Sequence, residues 1–192
     1  MSQASPVAVT VTPQEFHFVY FDAGVIADIA ATLLETLGMA EQSVLVEVDE
    51  TTPIARVTIE LGDPLVIRAE SGALEDTRHP RHMSETNVAV ALGRVLLRAR
   101  DRQDGTFGEA PADADLSLAQ IAAWETYCVG RLGRLGCTVH QPRWRYNFRN
   151  RHGFTDVADA TFDEMWSADR LTWSDLVQRS ESALTARAGA AA

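Results

Sequence analysis

The sequence predicts an α+β fold in which an N-terminal antiparallel sheet is followed by a helical C-terminal half. Apolar and polar residues alternate in several short stretches of the first seventy residues, which is the period of a half-buried strand. Beyond them, apolar residues recur every three to four positions, as in amphipathic helices. Because strands come first and helices later, this order favours α+β over a parallel α/β sheet.

About five strands and one inserted helix account for the N-terminal part. The strands are predicted at 6–12, 15–21, 43–49, 54–61 and 64–70. The connections near Pro53 and from Gly62 to Pro64 are short, which predicts hairpins and therefore antiparallel pairing. One face of the sheet is apolar, and the other is charged and expected to face water.

Helix boundaries are indicated by capping residues. Predicted helices span about 24–38, about 85–102 and 117–135, and two more are expected to begin at Thr161 and Thr172. Asp22 is the predicted N-cap of the first helix and Gly38 its end. Ser117 and Gln120 form a capping-box pattern. Residues 103–115 are rich in Gly, Pro and Asp, which predicts an exposed loop.

The length of 192 residues fits one α+β domain. In this interpretation residues 1–77 are mainly sheet, 78–188 are mainly helical and 189–192 form a frayed tail. Three glycines spaced three apart, Gly130, Gly133 and Gly136, interrupt the apolar helix at 117–135. Since each glycine costs helix stability, the spacing predicts a close approach of another backbone, within the chain or across a dimer.

The amino-acid composition limits which functions and which cellular location are expected. All 17 basic residues are arginine, and the net charge of −10 argues against general binding of nucleic acid. Two cysteines without metal or redox spacing, Cys128 and Cys137, favour a reducing, cytoplasmic location. The N-terminus lacks the basic segment of a signal peptide, and no apolar run is long enough to span a membrane. No Walker or Rossmann motif indicates a cofactor.

A first candidate site lies between the last predicted strand and the following helix. Two imidazoles, His79 and His82, stand close to the carboxylates of Glu75 and Asp76, and Glu70 is a further acid nearby. Two histidines and a carboxylate can hold zinc or iron with an open position. The neighbouring arginines argue against a metal site, because they raise the local positive potential. The alternative interpretation of this cluster is a solvated polar turn.

A second candidate site is the arginine-rich stretch from 143 to 154. It contains Arg143, Arg145, Arg149 and Arg151 together with Trp144 and Tyr146, and no acid. Arginine forks beside aromatic rings can bind a small phosphorylated or carboxylate ligand. The alternatives are internal ion pairs with the acids of the chain, or a macromolecular partner. The spacing fits a strand and a helix equally well.

Three functional hypotheses follow. The absence of a catalytic motif favours a non-enzymatic binding or interaction protein, in which an open sheet edge allows a homodimer. The second hypothesis is an enzyme or sensor for a small anionic ligand held by the arginine-rich stretch. The third is a metal-dependent enzyme that uses the histidine and carboxylate cluster.

Overall fold

The computed structural model describes residues 9–190 and confirms an α+β fold with an N-terminal sheet and a helical C-terminal half. The elements in chain order are β1 (Val9–Thr12), α1 (Ala23–Thr36), β2 (Val44–Asp49), β3 (Val57–Glu60), β4 (Leu65–Glu70), β5 (Glu75–Asp76), β6 (His79–Met83), α2 (Glu85–Gln103), α3 (Leu118–Arg134), α4 (Gln141–His152), α5 (Asp156–Ser167) and α6 (Trp173–Ala190). Residues 6–8 of the predicted first strand and residues 191–192 of the predicted tail lie outside the described residues.

The predicted antiparallel pairing is wrong for two of the three strand pairs in the main sheet. The strand order is β1-β2-β4-β3, and β1, β2 and β4 run parallel, whereas only β3 and β4 form the predicted hairpin. The helix α1 joins β1 to β2 as a crossover connection, which makes those strands parallel. After β2 the chain passes to the far edge and returns, so β4 lies between β2 and β3.

The predicted strand at 15–21 is also wrong. This segment is irregular and makes a single bridge, between Tyr20 and His82. The carboxylate of Glu50 explains the difference, because its Oε2 accepts hydrogen bonds from the backbone N–H groups of His17 and Phe18 at 2.7 and 2.6 Å. A side chain therefore takes the donors that a neighbouring strand would otherwise bind.

The two faces of the main sheet have the predicted contrast. One row across the four strands consists of residues that are at most 5% exposed: Val11, Val46, Ile67 and Ile59. The adjacent row projects to the opposite face and consists of Thr12, Glu47, Arg68 and Thr58. Because side chains alternate along each strand, burial of the apolar row leaves the polar row on the open face.

The predicted ends of α1 are confirmed. The Asp22 side chain accepts hydrogen bonds from the N–H groups of Gly24 and Val25. At the other end Gly38 has φ +69, and the N–H of Met39 donates to the carbonyl of Leu34 at 2.8 Å. This is a Schellman motif, which satisfies carbonyls at the helix end.

Contacts divide the chain into two compact units, Met1–Ala99 and Arg100–Ala192, with the boundary inside α2. The first unit contains the sheet, α1 and the small β5–β6 hairpin. In the second unit α3 contacts α4, α5 and α6, so α3 is the central helix. Its apolar stripe includes Trp124, Cys128 and Leu132, none of which is exposed.

Two of the three helix starts predicted in the second unit are confirmed. Ser117 and Gln120 form the capping box of α3, and Thr172 with Asp175 makes the equivalent bonds before α6. The start at Thr161 is wrong, because this residue is buried in the middle of α5. The N-cap is Thr155, whose hydroxyl accepts a hydrogen bond from the N–H of Ala158.

Of the three glycines predicted to allow a close approach of another backbone, Gly130 lies at a close helix crossing, whereas a Cβ at Gly133 would meet the side chain of Val139 and one at Gly136 would meet nothing within 4 Å. A Cβ atom at Gly130 would lie 2.2 Å from the backbone oxygen of Trp166 on α5. Gly136 has φ +95 at the end of the helix. The backbone of α5 therefore occupies the space that any larger residue at position 130 would need.

Within residues 9–190, none of the helices combines the length and the apolar composition that a membrane crossing requires.

We expect Gly130→Ala to destabilise the protein although alanine favours helices. Because the Cβ would lie only 2.2 Å from a backbone oxygen, we expect the strain to reach about 3 kcal/mol, which exceeds the gain of about 1 kcal/mol in helix propensity. Urea unfolding measures the difference. Gly105→Ala is the control, because its Cβ would meet nothing within 4 Å. An unchanged or increased stability of Gly130→Ala would contradict the crossing.

Candidate functional site

The arginine-rich stretch folds as helix α4, which resolves the ambiguity between strand and helix. Pro142 stands in the first turn, where its missing N–H needs no partner. The imidazole of His140 caps this end by accepting a hydrogen bond from the N–H of Arg143 at 3.3 Å. Gly153 ends the helix with φ +102. A helix places side chains three and four apart on the same face.

The inner face of α4 is aromatic. Phe148 and His152 have no exposed surface, and their rings stack with centroids 3.9 Å apart. Phe148 also meets Phe162 of α5 edge to face at 5.9 Å. Large rings four residues apart lie on the same face of a helix, and here that face is buried. These contacts therefore fix the rotation of α4 about its axis.

Two of the four arginines form internal ion pairs with α5. Arg149 donates to Asp159 through Nε at 2.7 Å and Nη2 at 2.5 Å, and Arg145 binds both oxygens of Asp163. The paired guanidinium of Arg149 lowers the pKa of Asp159, and Arg145 adds to this effect. The guanidinium of Arg145 also lies 4.5 Å from the ring centre of Phe162. Arg145 and Arg149 thus attach α4 to α5.

The other two arginines belong to a face of α4 that points to solvent, which we call the outer face. It consists of Arg143, Tyr146, Asn147, Asn150, Arg151 and, just after the helix, Phe154. Tyr146 is 58% exposed and Phe154 is 64% exposed, and their ring centres lie 6.0 Å apart. In the part of the chain that the structure describes, Arg143 and Arg151 make no ion pair. The remaining predicted aromatic, Trp144, is half-buried.

A buried histidine and serine lie beneath α4. The Nε2 of His152 is 2.8 Å from the hydroxyl of Ser180, and its Nδ1 is 3.1 Å from the carbonyl oxygen of Phe148. Nδ1 must therefore carry the proton, and Nε2 accepts the hydrogen bond from the serine. This resembles the order of groups in a nucleophilic dyad. Ser180 is only 2% exposed and His152 fully buried, so no substrate reaches the hydroxyl.

The second unit also contains a buried ion pair. Asp101 accepts two hydrogen bonds from the guanidinium of Arg131, at 2.8 and 2.6 Å, and one from the indole of Trp124 at 2.8 Å. The guanidinium lies 3.9 Å from the ring centre of Tyr127. Sequence reasoning missed this pair, because Asp101 and Arg131 are on different helices and no local pattern connects them. Both carboxylate oxygens are satisfied, which indicates a structural role.

The cluster predicted to bind metal is only partly brought together. Asp76 and His79 bond to each other at 2.9 Å, whereas Glu75 lies 3.3 Å from the hydroxyl of Ser71. His82 faces the carbonyl oxygen of Pro80 at 3.3 Å. Glu70 pairs with Arg56 at 3.4 Å on the sheet. Across residues 9–190, no three His, Cys, Asp or Glu side chains converge as metal ligands would.

An aromatic residue that the sequence analysis assigned to a strand lies on this hairpin instead. The ring of Tyr20 stacks on His82 with centroids 4.8 Å apart, and the backbone N–H of Tyr20 donates to the carbonyl of Arg81 at 2.7 Å. Arg81 has φ +66, a left-handed conformation that is rare for arginine. The two segments in contact are distant in the sequence. The aromatic composition of segment 15–21 is the one sequence feature that points to such a contact.

A groove of about 650 Å³ runs over the polar face of the main sheet. Its charged lining residues are Glu47, Asp49, Arg56, Arg68 and Glu70. Arg68 bonds Glu47 at 3.0 Å and Glu60 at 2.7 Å, which raises its pKa. The cations of the groove are already paired, so it offers a ligand few unsatisfied charges.

Comparison of the chain with protein-family models, curated proteins and solved structures finds no match.

We expect stability to fall as the pH drops below about 6.5, partly because of His152. Burial lowers the pKa of its imidazole. In the folded chain this imidazole therefore stays neutral, whereas in the unfolded chain it takes up a proton near pH 6.5. Urea unfolding between about pH 7.5 and about pH 5.5 compares the wild type with His152→Gln. The wild type should lose more stability over this range. Equal losses would show that His152 does not contribute.

We expect Asp101→Asn to destabilise the protein by about 3–5 kcal/mol, since it leaves the buried charge of Arg131 without its counterion. The double variant Asp101→Asn/Arg131→Gln removes that charge and should recover part of the loss. Thermal and urea unfolding of the three proteins measures the coupling. Additive effects of the two substitutions would contradict a direct ion pair.

Proposed function

We propose that this chain is a non-enzymatic interaction protein that binds an acidic protein partner through the outer face of α4. One observation carries the proposal: Arg143 and Arg151, without ion pairs among the described residues, share a solvent-facing helix surface with Tyr146 and Phe154. Arginine and tyrosine are enriched among the residues that dominate binding energy at protein interfaces. The rings supply apolar area, and the guanidinium groups supply specificity for carboxylates.

The composition of this surface favours a protein over a nucleic acid. Helix α4 contains four arginines and no acid, but two of the arginines are held by α5. Affinity for nucleic acid grows with the number of phosphates neutralised, and the chain has a net charge of −10. Two free guanidinium groups beside exposed rings instead match an acidic segment with apolar residues.

The enzyme hypotheses have less support. A small anionic ligand at Arg145 and Arg149 would have to displace the carboxylates of Asp159 and Asp163. A metal enzyme would need further ligands beside Asp76 and His79, and the buried serine of α6 is closed to substrate.

Two further properties belong to the proposal. We infer a cytoplasmic location from the two free thiols, of which Cys128 is buried and Cys137 half-buried. We also infer a homodimer, because β3 pairs with β4 on one side and presents its other edge for pairing. Light scattering at several protein concentrations measures the oligomeric state separately from partner binding.

The test uses poly-L-glutamate and a Glu/Phe-rich synthetic peptide as acidic probes in a fluorescence titration. Arg143→Gln/Arg151→Gln should weaken binding at least about tenfold, because two charge-assisted contacts are lost. Tyr146→Ser should weaken binding of the Phe-containing peptide more than that of poly-L-glutamate. Both variants should keep the wild-type melting temperature, since the changed side chains are exposed.

A matched control separates the site from the general charge of the protein. Arg56→Gln/Arg170→Gln removes the same charge from exposed positions elsewhere and should leave both titrations unchanged. Equal weakening by the two double variants would refute a specific surface. Tighter binding of a single-stranded oligonucleotide than of either peptide, lost in Arg143→Gln/Arg151→Gln, would replace the acidic protein with a nucleic acid.

A further inference from the structure

The β5–β6 hairpin and the segment before α1 together form a second surface of exposed rings and cations. Tyr20 is 72% exposed, and one side of its ring stacks on His82. His79 meets His82 edge to face, with ring centres 6.5 Å apart. The hairpin also carries Arg78 and Arg81, both exposed. The hairpin and the segment that contacts it therefore carry three aromatic rings and two exposed arginine side chains.

The acids next to this surface are bonded to the protein itself. Asp76 accepts hydrogen bonds from His79 and from the N–H of Arg78, which lowers its pKa. Glu50 accepts hydrogen bonds from the N–H groups of Phe18 and His17, and these bonds, the one from Phe18 most, lower the pKa of its carboxyl as well. Over the described residues 9–190, neither Arg78 nor Arg81 makes an ion pair. The charge of Arg78 acts on Asp76 without a direct ion pair, so the donors of both guanidinium groups are available to an external anion.

The backbone at Arg81 supports a role beyond folding. A non-glycine residue with φ +66 carries steric strain, and such residues concentrate at ligand sites. The hydrogen bond from Tyr20 to the carbonyl of Arg81 and the stacking of Tyr20 on His82 hold the strained residue in place. Arg81 lies inside β6, where the register against β5 shifts, and an irregular strand position with this backbone would be more stable with glycine or asparagine.

We propose that this surface binds a nucleotide, with the base stacked on the solvent-facing side of Tyr20 and the phosphate held by Arg78 and Arg81. A planar ring stacks on tyrosine without regard to sequence, and a guanidinium group pairs with two phosphate oxygens at once. A divalent metal does not fit, because both guanidinium groups repel it. The shared chemistry of base and phosphate also occurs in single-stranded nucleic acid.

The charge of the chain favours the free nucleotide over the strand. A long polyanion encounters a protein of net charge −10, whereas a mononucleotide interacts mainly with the local cations. This site and the outer face of α4 have no residue in common, so the two proposals are tested by different variants.

The experiment titrates the full chain with AMP, adenosine, inorganic phosphate and a short single-stranded oligonucleotide, by calorimetry or ligand-observed NMR. AMP should bind more tightly than adenosine or phosphate alone, because only AMP uses both the ring and the cations. Tyr20→Leu should weaken AMP binding about tenfold, equivalent to about 1.4 kcal/mol. Arg78→Gln/Arg81→Asn should weaken it by at least as much, and asparagine tolerates the left-handed backbone at 81.

Circular dichroism and melting temperatures establish whether each variant is folded. If Tyr20→Leu does not fold, the variant Arg78→Gln/Arg81→Asn still tests the proposal. The control Arg56→Gln/Arg170→Gln, which removes two exposed arginines outside both proposed surfaces, should bind AMP as the wild type does. Undetectable binding of AMP at millimolar concentration, or binding that neither variant weakens, would overturn the proposal. Binding of the oligonucleotide that is tighter than that of AMP and steeply salt-dependent would identify the strand as the source of the same chemistry.

Discussion

The close crossing of α3 and α5 at Gly130 determines how the helices of the second unit are arranged. Because no Cβ atom intervenes, the backbone of α5 approaches α3 directly at Trp166. This position presents Asp159 and Asp163 of α5 to the arginines of α4, and Phe162 to its buried ring. The rotation of α4 follows from these contacts. The surface that remains exposed is therefore a consequence of a glycine on another helix.

Helix α4 separates its cations into two groups with different physical roles. The arginines that face α5 bind carboxylates of the chain in place of water, so their charge is largely cancelled within the chain. The arginines on the outer face keep their hydration and their charge, and they share this face with exposed rings that water solvates poorly. An acidic protein partner would gain from both properties. The ion pairs of the inner arginines hold α4 against α5, so the helix need not reorganise when the outer face binds a partner.

Local features of the fold were predictable from the sequence, and non-local ones were not. The caps of α1, α3 and α6 depend on side chains within a few residues of the helix end, so pattern recognition was sufficient. The parallel pairing of β2 with β4 depends on β4, and not β3, being the neighbour of β2, and side-chain alternation is the same for either strand direction. At the candidate site, the sequence singled out the arginine-rich stretch but not its helical structure or which of its arginines are paired. That choice rests on Asp159 and Asp163, whose positions follow from tertiary packing.

The order of strands in the main sheet has a consequence for the sequence of events in folding. The hairpin of β3 and β4 closes a loop of a few residues, whereas pairing of β2 with β4 closes a longer one and pairing of β1 with β2 must enclose all of α1. The entropy lost on closure increases with loop length, and early contacts shorten the loops that remain. The sheet is therefore expected to grow from the β3 edge inward, with β1 as the last strand to dock. In that order, the parallel strands form on a template that the antiparallel hairpin has already ordered.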